Sequence, residues 1–168
     1  MSQGLEMPYR IVTLVYCLVD GRVLLLKRRK PPYVGRWVAP GGKVERGESP
    51  AEGALRELRE ETGLSAARVE LRAVVTETSE RDDWQWLIFV YRAHELAGRA
   101  DSDEREGELR WWHLRDEVPG LDLPPADRHF LRDAARAEAG VTEYRFAYTP
   151  DLEVIGDQPA YAKTWSTT

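Results

Sequence analysis

The stretch SPAEGALRELREETG, Ser49 to Gly63, carries a helix start, a helix stop and an apolar stripe, and so constrains the fold more than any other segment. Ser49 suits an N-cap, Pro50 fits the first helical position, and Glu52 completes a capping box. Gly63 provides a left-handed stop. The spacing predicts a helix over 50–62, with Ala51, Ala54, Leu55 and Leu58 on the buried side. Glu57, Glu60 and Glu61 are then turned toward solvent or a cleft. Like charges three and four residues apart repel by roughly 0.2–0.5 kcal/mol per pair, so a cation bound among them is the reading that makes the cluster tolerable. Clustered carboxylate oxygens suit a hard divalent ion such as Mg²⁺, which takes its remaining ligands from water and substrate phosphates.

What surrounds this helix reads mainly as strand. YRIVTLVYCLVDGRVLLLKRR is expected to form a hairpin about Asp20-Gly21, a dipeptide suited to a type I′ turn. KPPYVGRWVAPGG follows as a loop. VELRAVVTET, WQWLIFVYRAHEL and LRWWHL are further strands, PADRHFLRDAARAEAG is an amphipathic helix, and EYRFAY with LEVI adds a final strand pair. Strands on both sides of an early helix, with a second helix late, predict an α/β sandwich and not a βαβ relay. The 168 residues are taken as one domain, 1–168, with a core of about 9–140 and a C-terminal extension of 141–168.

Composition narrows the partners. With 24 basic against 29 acidic residues and a net charge of −5, the chain lacks the balance of a polyanion-binding module, so no nucleic acid polymer is expected. Cys17 is the single cysteine, within an apolar run, which excludes an internal disulfide framework. The first nine residues lack an apolar signal-peptide core, and no apolar run spans a bilayer. A cytoplasmic protein without membrane contact, monomer or homodimer, is the expectation.

The residues flanking the acidic turn sharpen the chemistry. Gly42, five residues, Glu48, seven residues, then Arg56-Glu57-Leu58-Arg59-Glu60-Glu61-Thr62-Gly63-Leu64 resembles the signature of the Nudix hydrolases at every defined position. The likeness implies an α/β/α sandwich with a mixed β-sheet. It also implies that Arg56 and Glu48 brace loop to helix, and that Glu57, Glu60 and Glu61 ligate metal with Gly42. Glu60 and Glu61 are the catalytic candidates, and which glutamate takes the proton varies between members. Mg²⁺ is the implied cofactor, with Mn²⁺ a substitute.

From Tyr9 to Leu64 the chain looks like the MutT-type nucleoside triphosphate diphosphatases, the group that includes oxidised-purine sanitisers such as 8-oxo-dGTP diphosphatases. In them a hairpin likewise ends in a basic pair and leads to a Gly-x-Trp before the glycines. That likeness implies a further carboxylate from the loop before LRWWHL, for metal or catalysis: Glu106 is the best match, with Glu104 and Glu108 beside it. Arg28 and Lys43 are candidates for the phosphates, and Trp37 for the base, although core packing is the ordinary role of most of the tryptophans. Asp127 either reads an exocyclic amine or caps the second helix. Two departures stand out. Val38 occupies the position of a base-contacting Asn in the mammalian enzymes, and Pro124-Pro125-Ala126-Asp127 stands where they carry Trp-Pro-Asp-Asp. The expected substrate is a small nucleotide: a nucleoside triphosphate, with ADP-ribose, dinucleoside polyphosphates and pyrimidine triphosphates as alternatives. A non-catalytic regulator is disfavoured because every glutamate of the signature is intact.

Overall fold

The computed structural model describes residues 8–101, 107–156 and 158–166. Along the chain run β1 (Arg10–Tyr16), β2 (Leu18–Val19), β3 (Arg22–Arg28), β4 (Trp37–Val38), α1 (Pro50–Thr62), β5 (Ser65–Ser79), β6 (Gln85–Ala97), β7 (Gly107–His113), α2 (Asp127–Ala135), β8 (Val141–Tyr148) and β9 (Tyr161–Trp165). One mixed sheet has the order β1-β6-β5-β8-β9; the second is built on β3, flanked by β2, β4 and β7. In the first sheet β1 runs parallel to β6 and β5 parallel to β8, while β5–β6 and β8–β9 are antiparallel.

The helices cover opposite faces of this sheet because its strands alternate. Val15 of β1 and Tyr91 and Ala93 of β6 pack with Ala54 and Leu58 of α1. Their neighbours Tyr16 and Val90, and Ala73 and Val75 of β5, belong to the other core, with Phe130, Leu131 and Ala134 of α2. The result is an α/β/α sandwich with a mixed sheet.

Helix α1 has the bounds its sequence signals dictate. Ser49 Oγ accepts the Glu52 N–H at 3.2 Å, Glu52 Oε2 accepts the Ser49 N–H at 2.7 Å, and Gly63 closes the helix with φ 74°. The hairpin differs from its expectation. Asp20 and Gly21 do adopt positive φ (48° and 71°), but only Leu18 and Val19 pair back onto β3. Residues 10–16 depart to the other sheet, since β1 finds a seven-residue parallel partner in β6. That partner lies far along the chain and is invisible to local turn signals.

The late helix is shorter than its amphipathic pattern, ending at Ala135. Arg72 explains why. It is the extra residue of a bulge between Leu71 and Ala73, and its side chain is buried. Its guanidinium donates to the carbonyls of Asp133 (3.0 Å), Arg136 (3.0 Å) and Glu138 (2.7 Å). The bond to Asp133 satisfies an orphan carbonyl of the last helical turn, and those to Arg136 and Glu138 hold the chain as it leaves the helix. Residues 141–165, set apart from the core in the sequence, supply two strands of the first sheet. Cys17 is buried, and burial pushes its thiol up to about 12, so it is inert packing.

Candidate active site

The loop Pro40–Val44 lies along the free edge of β1. Val15 N–H donates to the Pro40 carbonyl at 2.7 Å, Thr13 N–H to the Gly42 carbonyl at 2.8 Å, and Val44 N–H to the Ile11 carbonyl at 3.1 Å. So close an approach needs glycine at 41, where φ is 155° and a Cβ would collide with the Thr13 carbonyl. Gly42 faces α1 instead, and a Cβ there would sit 2.6 Å from the Glu57 carboxylate.

The acidic turn is thereby held against this loop. Gly41 N–H donates to Glu61 Oε2 at 2.8 Å. Arg56 donates to both oxygens of Glu48, at 2.6 and 3.0 Å, and to the Lys43 carbonyl at 3.0 Å. The same guanidinium reaches Glu57 at 2.8 Å and Glu60 at 3.2 Å. Its bonds to Glu48 and Glu57 hold Arg56 firmly protonated, and Glu48 in turn lies below the usual carboxylate range because Arg56 and the Glu45 amide donate to it. One planar fork thus ties loop, helix and acidic cluster together, a geometry that a lysine point charge cannot reproduce.

Glu57 and Glu61 open into a cavity of about 720 Å³, within the range of small-molecule sites. Arg28, Lys43, Gly42 and Asp127 also line it. Glu60 does not; its side chain is exposed and bonded to Arg56. Trp37 is turned away as well. It is buried edge-on against Trp112, with ring centroids 4.9 Å apart, and its strand neighbour Val38 faces the cavity in its place. Glu106 and Glu104 lie outside the described residues, and Glu108 is exposed on β7 opposite Lys27. The Gly42 carbonyl accepts the Thr13 N–H at 2.8 Å and, at 3.5 Å, the Thr13 hydroxyl, which a cation would displace.

The donor set fits a hard divalent ion: two partly buried carboxylates on adjacent helical turns beside a carbonyl, at the mouth of a cavity with a cationic rim. Among the described residues no three acidic, His or Cys groups already converge on one point, so ligation would draw the carboxylates together. Arg28 is oriented by the backbone, donating to the Pro32 carbonyl at 2.6 Å. Arg10, Arg29, Lys30 and Arg81 add positive charge around the opening.

The cavity also holds Glu77, which the sequence reading passed over, beside Asp127, which it named. Glu77 of β5 is buried there, accepting the Tyr148 hydroxyl at 2.7 Å, and burial pushes its carboxyl up to about 7. Asp127, also buried, is raised by burial and by Glu77, against the pull of Arg28 and Arg36. It provides no side-chain cap to α2, whose N-cap is Ala126. Tyr33, Trp84 and Trp86 line the same cavity. Period-two alternation carried the missed signal, since Glu77 is in phase with buried Ala73 and Val75.

The NUDIX domain family model matches residues 8–134. The chain belongs to the Nudix family. The uncharacterized Nudix hydrolase YvcI of Bacillus subtilis is 37% identical over 139 residues, covering 81% of this chain and 85% of that protein. The oxidized purine nucleoside triphosphate hydrolase of Mus musculus is 33% identical over 122 residues, covering 73% of this chain and 77% of the mouse protein. The crystal structure of the MutT protein of Bacillus halodurans superimposes with a TM-score of 0.75 at 31% identity, over 92% of this chain and 97% of that one. As a Nudix hydrolase the protein is an enzyme of a family that acts on small nucleotide substrates and generally uses a divalent metal such as Mg²⁺. No helix among the described residues is long and apolar enough to cross a membrane.

Proposed function

We propose that this Nudix hydrolase cleaves a nucleoside triphosphate, and specifically an oxidised purine deoxynucleotide such as 8-oxo-dGTP, to the monophosphate and pyrophosphate. The observation that carries this is a single cavity lined by the carboxylates Glu57 and Glu61, by the cations Arg28 and Lys43, and by the acids Glu77 and Asp127 with the aromatic rings of Tyr33, Trp84 and Trp86. Such a lining suits a ligand with a charged tail and a flat polar head. The mouse relative's name agrees with this reading.

Bound Mg²⁺, or Mn²⁺ in its place, supplies charge neutralisation at phosphate oxygens and lowers the pKa of a water molecule. Glu57, Glu61 and the Gly42 carbonyl would hold it, joined by Glu60 once its side chain leaves Arg56 and turns inward, and Glu106 is the further candidate for metal or proton. The Gly41 N–H fixes the direction of Glu61, and Arg56 fixes Glu57 and Glu48. Arg28 and Lys43 donate to phosphate oxygens, as charge-assisted bonds to phosphate require. A carboxylate of the acidic turn, Glu60 or Glu61, accepts the proton of the attacking water. Asp127 meets the base.

The test is turnover of 8-oxo-dGTP, dGTP, ADP-ribose and diadenosine polyphosphates with Mg²⁺ in ¹⁸O water, for the native protein and for Glu60→Gln and Glu61→Gln. Pyrophosphate release from 8-oxo-dGTP should dominate, and the variants should lose orders of magnitude in kcat with unchanged circular dichroism. Near-native turnover by both variants overturns the catalytic assignment, and a preference for ADP-ribose overturns the substrate.

A further inference from the structure

Glu77 has no task in the hydrolysis just described, yet it is a carboxyl in the middle of a strand with only 5% of its surface exposed. Burying such a group is costly unless its hydrogen-bonding capacity is used. Tyr148 engages Oε1 at 2.7 Å, and Oε2 has no protein partner among the described residues. Glu77 and Asp127 reach the same cavity end from different elements, β5 and the first turn of α2. The walls between them are aromatic: Trp84 lies 5.3 Å from Trp86 and 6.1 Å from Tyr33 and from Tyr148, centroid to centroid. The Trp84 and Trp86 indole N–H groups and the Tyr33 hydroxyl are buried there without a hydrogen-bond partner among the described residues. Flat apolar walls with convergent, under-used polar groups describe a receptor for a planar heterocycle.

We propose that Glu77, together with Asp127, reads the hydrogen-bonding edge of the nucleobase and selects one that presents adjacent N–H donors, the N1–H and 2-amino group of a guanine or 8-oxoguanine ring. This rests on the reading of the cavity as a nucleotide site and adds Glu77 to it as the specificity-determining residue. The chemistry of the edge decides the class. Two carboxyl groups offer four oxygens, of which Tyr148 occupies one, so the pair is rich in acceptors. A guanine edge brings three N–H hydrogens to meet them, whereas a uracil or thymine edge brings one N–H between two carbonyls. Sites built to bond such a donor discriminate strongly against analogues lacking it, because the buried acceptor is then left unpaired. Burial raises both carboxyls and the Glu77 charge raises Asp127 further, which favours one protonated group beside one carboxylate; the carboxylate oxygens and the carbonyl oxygen of the acid remain acceptors for the base.

The test compares binding of dGMP and dIMP, which differ only in the 2-amino group, by calorimetry in metal-free buffer, so that neither catalysis nor metal enters the readout. The native protein should bind dGMP at least about tenfold more tightly. Glu77→Gln, which turns a donor toward the amino group, should bring the ratio to near unity while its melting curve stays cooperative. Tyr148→Phe retains the ring and removes only the hydroxyl that orients Glu77, so it should lower the ratio in the same direction and serves where the Gln variant does not fold. Equal affinities for the two nucleotides in the native protein, or a native ratio in the folded variants, overturn the assignment. A protein that cleaves no triphosphate but shows the dGMP preference would refute the hydrolytic reading and leave Glu77 in its role.

Discussion

Gly41 and Gly42 are adjacent, and replacing each by alanine should produce opposite failures. At Gly42 the added Cβ lies 2.6 Å from Cδ and Oε1 of Glu57, where ordinary van der Waals contact begins at 3.4 Å. The carboxylate must withdraw by about 0.8 Å, and it is the far end of a flexible side chain, so it can. The backbone of Gly42 is outside the left-handed region, so alanine is not strained there. Stability should therefore change by less than about 1 kcal/mol, some of it favourable through the reduced entropy of the unfolded chain. Activity should not escape so lightly. A misplacement of about 1 Å in a catalytic group costs up to about 100-fold in rate, so Gly42→Ala should lose roughly 10- to 100-fold in kcat at saturating Mg²⁺. Gly41→Ala, by contrast, drives a Cβ into the Thr13 backbone carbonyl, which cannot rotate away, and should lower the melting temperature markedly. Paired thermal melts and Mg²⁺-dependent turnover assays decide the matter. A Gly42→Ala enzyme with native kcat, or one destabilised as much as Gly41→Ala, would refute the assignment of Gly42 as the clearance for Glu57.

Two further outcomes concern buried charge. Arg72→Met strips the donor from the carbonyls of Asp133, Arg136 and Glu138, and should cost about 3 kcal/mol or more in urea unfolding; a loss under about 1 kcal/mol would show that the end of α2 does not depend on it. Glu77 keeps its proton up to about 7 in the folded protein against an ordinary value of 4.5, so between these values the folded state binds more protons than the unfolded one. Stability from this group is therefore greatest below 4.5 and falls as pH rises to 7, by about 3 kcal/mol at most, and Glu77→Gln should flatten that slope in denaturant titrations. An identical slope in the variant would contradict it.

How much of this was readable from the chain depended on how local the cause was. Helix α1 could be bounded to the residue because Ser49, Glu52 and Gly63 act within one turn of its ends. Asp20-Gly21 likewise declared its backbone geometry, but not the departure of residues 10–16 to the other sheet, which follows from a partner some seventy-six residues away, Trp86 opposite Arg10. The shortening of α2 was hidden for the same reason, being imposed by an arginine from a bulge in β5. At the site, the spacing of the acidic turn and its arginine was legible because helical periodicity fixes it. The burial of Trp37 was not legible, because the strand β4 is only two residues long and gives no alternation to show which of Trp37 and Val38 faces the cavity. Glu77 could have been found, since its phase with Ala73 and Val75 is written in the sequence, but a lone acid in a strand reads first as a solvent-facing residue.

The backbone bonds between Pro40–Val44 and β1 have a consequence beyond catalysis. A bare outer strand invites pairing with a foreign chain, and β1 would otherwise present such a margin. The glycine loop occupies that margin, so the same segment that serves the chemistry also guards the molecule against sticking to its own kind. Loosening this loop at Gly41 should therefore cost turnover and solubility together.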